Sequence, residues 1–184
     1  MTKKSISRAR IQGNLDGLCG VYSIVNSALN LHSPNLNKES TKELFRVLCS
    51  ALNHEKKLLD ALLDGITVRP LGELIDHASD FTDKKYRIRI LRRIAFGTAS
   101  CSLDEFWTKI SNHIEKHGPG SVILSLGGKH DHWTCVREIS ASRIDLIDSD
   151  GLKFLARKNC TVGDAKRGRH HTVMPTQTYL LSRS

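Results

Sequence analysis

The sequence predicts an α+β fold in which an N-terminal helical half packs on a C-terminal antiparallel sheet. Three observations carry this expectation. Apolar residues recur at helical spacing through the first half of the chain, short β-branched runs take over in the second, and the gaps between those runs are short enough for hairpins. Elements segregated in this way point to α+β rather than to alternating α/β. No internal repeat, low-complexity stretch or linker rich in Pro, Gly or Ser divides the 184 residues, so one domain over 1–184 is expected, long enough to bury a core.

The first helix is expected over residues 19–31, after Gly17, with Val21, Ile24, Val25 and Ala28 on its apolar face. Ser40 and Glu43 have capping-box spacing ahead of Leu44, Leu48, Ala51 and Leu52. A short leucine-rich helix over 55–63 should stop at Asp64-Gly65. Pro70 suits the first turn of another helix, whose face is Leu71, Leu74, Ile75 and Ala78. Residues 86–91 alternate and read as a strand. Ser102 and Glu105 cap the strongest helix, with Leu103, Phe106, Trp107, Ile110 and Ile114 as one stripe and Gly118 as its end. Strands are then expected over 121–126, 132–139, 143–147, 152–156 and 176–181, and the two halves should leave a cleft between them.

Composition narrows the function classes. No apolar run approaches the roughly 20 residues of a membrane helix, so no membrane association is expected. The start, MTKKSISRARIQG, has basic residues without an apolar stretch behind them; a cytoplasmic protein is expected, unless a specialised secretion system exports it. Five cysteines, Cys19, Cys49, Cys101, Cys135 and Cys160, lack paired spacing, which argues against a disulfide framework; three lie in apolar runs and suit core packing. The formal net charge is +9, with basic clusters at 3–10, 84–93 and 153–169. Such a surface favours acidic partners, but no nucleic-acid motif accompanies it.

Two segments carry chemistry. In QGNLDGLCGVYSIVN, a glycine-marked loop gives way to a helix at Cys19. A helix N-terminus offers unpaired N–H groups and about half a positive charge, which favour thiolate over thiol. Gly20 permits close backbone approach, and the Cys19 N–H is a candidate oxyanion donor. In SLGGKHDHWTCVREISASRIDLIDSDG, His132 opens one strand and Asp148 closes the next. A hairpin folded near Ser140 brings them together within a residue or two of register, as an imidazole and its orienting carboxylate require. Trp133 could shield that contact. His130 and Asp131 compete with His132 locally; Asp145 and Asp150 are weaker candidates than Asp148.

Together these residues resemble the papain-like cysteine peptidase superfamily, and within it the bacterial double-glycine leader peptidases and their stand-alone relatives. The matching residues are Gln12, Cys19-Gly20, His132-Trp133 and Asp148, in the family's order, over positions 12 to about 150. The resemblance implies a papain-like cysteine proteinase fold and a peptide or protein substrate. It also implies a catalytic set of Cys19 as nucleophile, His132 as base, Asp148 as orienting acid and Gln12 as oxyanion donor, with no cofactor and no metal. Two departures stand out. Family members usually place the glutamine six residues before the cysteine; here it is seven, which a one-residue bulge absorbs, or Asn14 is the donor instead. Ser149 follows Asp148 where the leader peptidases typically have proline.

A second resemblance, of DGLCGVYS to the cysteine motif of ovarian-tumour-type deubiquitinases, fits less well, because those enzymes usually carry the histidine near the chain end and about 50 residues follow His132 here. One triad serves peptide cleavage, isopeptide cleavage, deamidation and transamidation alike, in a housekeeping peptidase or a delivered effector. The alternative from another class is a non-enzymatic zinc or nucleic-acid binder using His130, His132, Cys135 and His170-His171.

Overall fold

In the computed structural model, which describes residues 9–13, 16–32, 35–116, 120–128, 131–163 and 167–184, helices come first and a mainly antiparallel sheet follows. Helix α1 (Cys19–His32) is buried at every residue but Tyr22 and Asn30. It therefore lies in the middle of the helical half, between α2 (Lys38–His54), α4 (Val68–Tyr86) and the sheet. The short α3 (Leu58–Asp64) stops at Gly65, which has φ +82°. Three polar side chains fix α1 against the sheet. The Ser23 hydroxyl donates to Trp133 O (2.8 Å), the Ser27 hydroxyl to Cys135 Sγ (3.1 Å) and the Asn26 amide to Ile147 O (3.4 Å). These bonds satisfy buried polar groups and set the rotation of α1 about its own axis.

Seven strands form one sheet: β1 (Ile90–Ile94), β2 (Ser121–Gly128), β3 (His132–Ile139), β4 (Arg143–Ile147), β5 (Phe154–Ala156), β6 (Cys160–Val162) and β7 (His171–Arg183). The order is β1-β7-β2-β3-β4-β5, with β6 alongside β7. Strand alternation divides the buried side chains between two cores. Ile123, Trp133, Tyr179 and Leu181 face the helical layer. Val122, Leu124, Leu126 and Leu180 face α5 (Leu103–Lys116), which covers the other side with Phe106, Trp107 and Ile110. The sheet is thus sandwiched between α1–α4 and α5.

Several expected elements shift. Asn37, not Ser40, caps α2: its side chain accepts from the Ser40 N–H (2.9 Å), so the helix begins before the expected capping box. The strand expected over 86–91 is displaced and shares only Ile90 and Leu91 with the observed one. Helix α4 runs to Tyr86 and ends on Arg87, whose φ of +57° and N–H bond to Asp83 O close the last turn, and β1 begins only at Ile90. Strand β7 is far longer than 176–181. The sheet is not wholly antiparallel either, because β6 pairs with β7 in parallel. The capping box at Ser102 and Glu105 forms as expected; Gly118 lies outside the described residues. No helix among the described residues is long and apolar enough to cross a membrane.

Candidate active site

The β3–β4 hairpin turns where Ser140 N–H bonds to Arg143 O (2.8 Å). Its ladder pairs Cys135 with Ile147, and continuing that register places Asp148 opposite Thr134, one diagonal step from His132. The diagonal contact is made: His132 Nε2 lies 2.7 Å from Asp148 Oδ2. Asp148 is almost wholly buried, at 1% side-chain exposure, against 11% for His132. Its other oxygen, Oδ1, accepts the N–H groups of Asp150 (2.8 Å) and Leu152 (2.9 Å), so the carboxylate is clamped by the turn after β4.

Cys19 opens α1 at the same place, 8% exposed. Its Sγ reaches Gly17 O at 3.8 Å and lies close enough to the His132 ring to help raise that ring's pKa. With Nε2 committed to Asp148, the nitrogen left for the sulfur is Nδ1. Burial works to lower the histidine's pKa and is the largest influence on it, but the hydrogen bond to Asp148, the nearby Cys19 sulfur and the negative charges of both together outweigh burial, raising it to about 10. The imidazole is therefore protonated at neutral pH. Burial likewise works to raise Asp148, and is outweighed by the His132 hydrogen bond, the nearby Thr134 hydroxyl, the His132 charge and the Leu152 N–H, which hold it below the ordinary carboxylate range. Burial pushes up the other four thiols, Cys160 to about 11. All five cysteines are free.

These groups open into a cleft of about 430 Å³ between the N-terminal loop, the end of α3 and the start of β3. Gln12 lines it and is held on three sides. Its N–H donates to Ser149 O (3.0 Å), its Oε1 accepts from the Ser149 hydroxyl (2.9 Å) and its Nε2 donates to Asp16 O (2.9 Å). One Nε2 hydrogen remains for another acceptor. The Cys19 N–H is in the first helical turn and has no acceptor among the described residues. Asp16, Asp64, Asp131 and Asp150 also border the cleft, an acidic rim on a basic chain.

The structure thus brings together Cys19, His132, Asp148 and Gln12. Asn14 and His130 lie outside the described residues. Asp145 belongs to another neighbourhood, paired with Arg143 (3.1 Å), and Asp150 reaches Asp148 only through its backbone. The Trp133 indole donates to Ile66 O (2.6 Å) and packs in the helical core beside Gly20. Cys135 is taken up by Ser27 and Ser121, and among the described residues no group of three or more His, Cys, Asp or Glu is arranged to hold a metal. Thr134, Ser149 and the Leu152 N–H were not anticipated. Strand alternation from His132 points to Thr134, whereas no local pattern marks the other two. No family model, curated protein or solved structure matches the chain.

Proposed function

We propose that this protein is a papain-like cysteine hydrolase that cleaves a peptide or isopeptide bond. The observation that carries the reading is that Cys19, at the start of α1, shares one cleft with His132, whose ring contacts the buried Asp148 carboxylate at 2.7 Å. In the proposed reaction the Cys19 thiolate attacks a carbonyl, forming an S–C bond. The Gln12 amide and the Cys19 N–H stabilise the oxyanion. His132, carrying the proton, gives it to the leaving amine as the C–N bond breaks. Water, deprotonated by the same ring, then releases the acid and restores the thiolate–imidazolium pair.

The two departures from the leader-peptidase pattern meet each other. Ser149 stands where those enzymes have proline, and its hydroxyl and carbonyl are what Gln12 grips. Anchored to the residue after Asp148, Gln12 can serve as donor from seven positions before the cysteine. Deamidation or transamidation would use the same groups and differ only in the amine lost or the nucleophile that follows.

The test is competitive alkylation with iodoacetamide at pH 7, read by peptide mass spectrometry. Cys19 should react at least about tenfold faster than Cys49 or Cys101, the half-buried thiols held up by desolvation. His132→Ala should abolish that preference while circular dichroism is unchanged. Equal labelling of the three thiols in the unaltered chain would refute the proposal.

A further inference from the structure

A second pocket, of about 420 Å³, lies on the far side of the N-terminal segment, between that segment and helices α1 and α2. Its floor is apolar: Tyr22 and Phe45, with ring centroids 5.1 Å apart, and Val25 beneath them. Its rim is cationic: Arg10, Lys38, Lys42 and Arg46, with no acidic side chain in the lining. The acids of α2 do not neutralise it. Glu43 is bonded to Lys85, and Glu39 reaches Lys42 only at 3.9 Å with both side chains well exposed, a contact worth little.

The cations have a definite spacing. Lys38, Lys42 and Arg46 recur every fourth residue, so they stand on one face of α2 with about 6 Å of helix rise between neighbours and about 12 Å from first to last. Like charges at this spacing repel one another and weaken the helix, and among the described residues Lys38 and Arg46 have no ion-pair partner. An extended peptide advances about 6.6 Å per two residues, and its alternate side chains share a face. Residues one, three and five of such a peptide therefore span about 13 Å on that face, close to the span of the cation row.

We propose that this pocket is an exosite for an acidic segment of the substrate protein, with the pattern acidic–x–apolar–x–acidic. The outer carboxylates pair with Lys38 and Arg46, Lys42 lies between them, and the central apolar side chain enters the floor at Tyr22 and Phe45. The segment's role as part of a substrate rests on the hydrolase reading of the Cys19 cleft; its binding does not. Continuity of the chain joins the two sites, since Arg10 borders the pocket and Gln12, two residues on, borders the cleft. A duplex nucleic acid fits less well: its charges come every 1.7 Å or so along a rod too wide for a concave apolar floor.

Fluorescence anisotropy tests the proposal, using the full chain carrying Cys19→Ala and a fluorescein-labelled peptide with a Glu-Gly-Leu-Gly-Glu core. The peptide should bind, and binding should weaken at least tenfold in Lys42→Glu/Arg46→Glu, less in Lys42→Gln/Arg46→Gln, and at least tenfold when Gln replaces both Glu residues of the peptide. In the Cys19-containing chain, Lys42→Glu/Arg46→Glu should leave the alkylation rate of Cys19 within twofold. Binding that ignores the charge reversal, equal binding of the Gln peptide, or tighter competition by a 15-nucleotide oligothymidine through the same residues would each overturn it. Failure of Cys19 to label preferentially would remove the hydrolase reading and leave the peptide-binding result standing.

Discussion

Asp148 shows how one residue can be legible in its type and position but not in its surroundings. A histidine opening one strand and an acid closing the next are symmetric about a turn, so the pairing of His132 with Asp148 follows from counting residues. The clamp on Oδ1 does not, because it depends on how the chain turns after Ile147 to aim the N–H groups of Asp150 and Leu152 backwards. That clamp leaves Oδ2 committed to the ring. Asp148→Asn preserves the shape of this contact and removes its charge. We expect the His132 titration, followed by ring-proton NMR, to fall from about 10 toward the ordinary histidine range, and the alkylation of Cys19 at pH 7 to slow by roughly tenfold or more. A titration that stayed in place would mean that Asp148 does not hold the proton on the ring.

At the scale of elements, α1, α5, β3 and β4 were readable because each keeps one period throughout its length. The elements that were not readable fail for identifiable reasons. The run Tyr-Arg-Ile-Arg-Ile alternates like a strand, yet its first residue completes the last turn of α4 and only Ile90 onward finds a partner in β7. Strand β6 has three residues, too few for any periodicity, and exists because β7 offers a free edge there. Strand β7 continues through Pro175 because the register with β2 breaks at that point: Leu124 pairs with Thr178 and Leu126 with Val173, so no ladder bond is asked of the proline. The loop before α1 is a tight junction. The Gly17 N–H bonds to Leu62 O (2.8 Å), and a β-carbon on Gly17 would come within 2.8 Å of Ala61 O and 2.9 Å of Gly65 N. Both are backbone atoms and cannot swing aside. Gly17→Ala should therefore cost roughly 1–3 kcal/mol in urea unfolding and, by pushing the end of α3 away from the loop, slow Cys19 alkylation as well. An unfolding midpoint equal to that of the unaltered protein would show that the loop and α3 are not packed this closely.

At the scale of the whole molecule, two histidines bound the pH range of stability from opposite sides. His32 is fully buried at the end of α1 near Tyr86, and neither ring nitrogen has a hydrogen-bond partner among the described residues. Burial, aided by the charge of Arg183, lowers its pKa from 6.5 to about 4. Between those values an unfolded chain binds a proton that the folded one refuses, so stability falls as pH falls through the window, by up to about 1.4 kcal/mol per pH unit. His132 has the opposite sign. Its folded pKa of about 10 lies above 6.5, so the folded chain keeps a proton that the unfolded one has lost. That contribution is complete below pH 6.5 and disappears as pH rises toward 10. Asp148, held below the ordinary carboxylate range, weakens the fold only on the far acid side. The two histidine windows meet near pH 6.5, where the melting temperature should peak. His32→Leu removes the buried imidazole and should flatten the limb between pH 4 and 6.5 while leaving the alkaline limb in place. His132→Gln should flatten the limb between pH 6.5 and about 8, above which the four raised thiols add their own loss of stability. Melting curves of the three proteins across pH 4 to 10 separate the two effects, because a limb that survives loss of its histidine must be assigned to other groups.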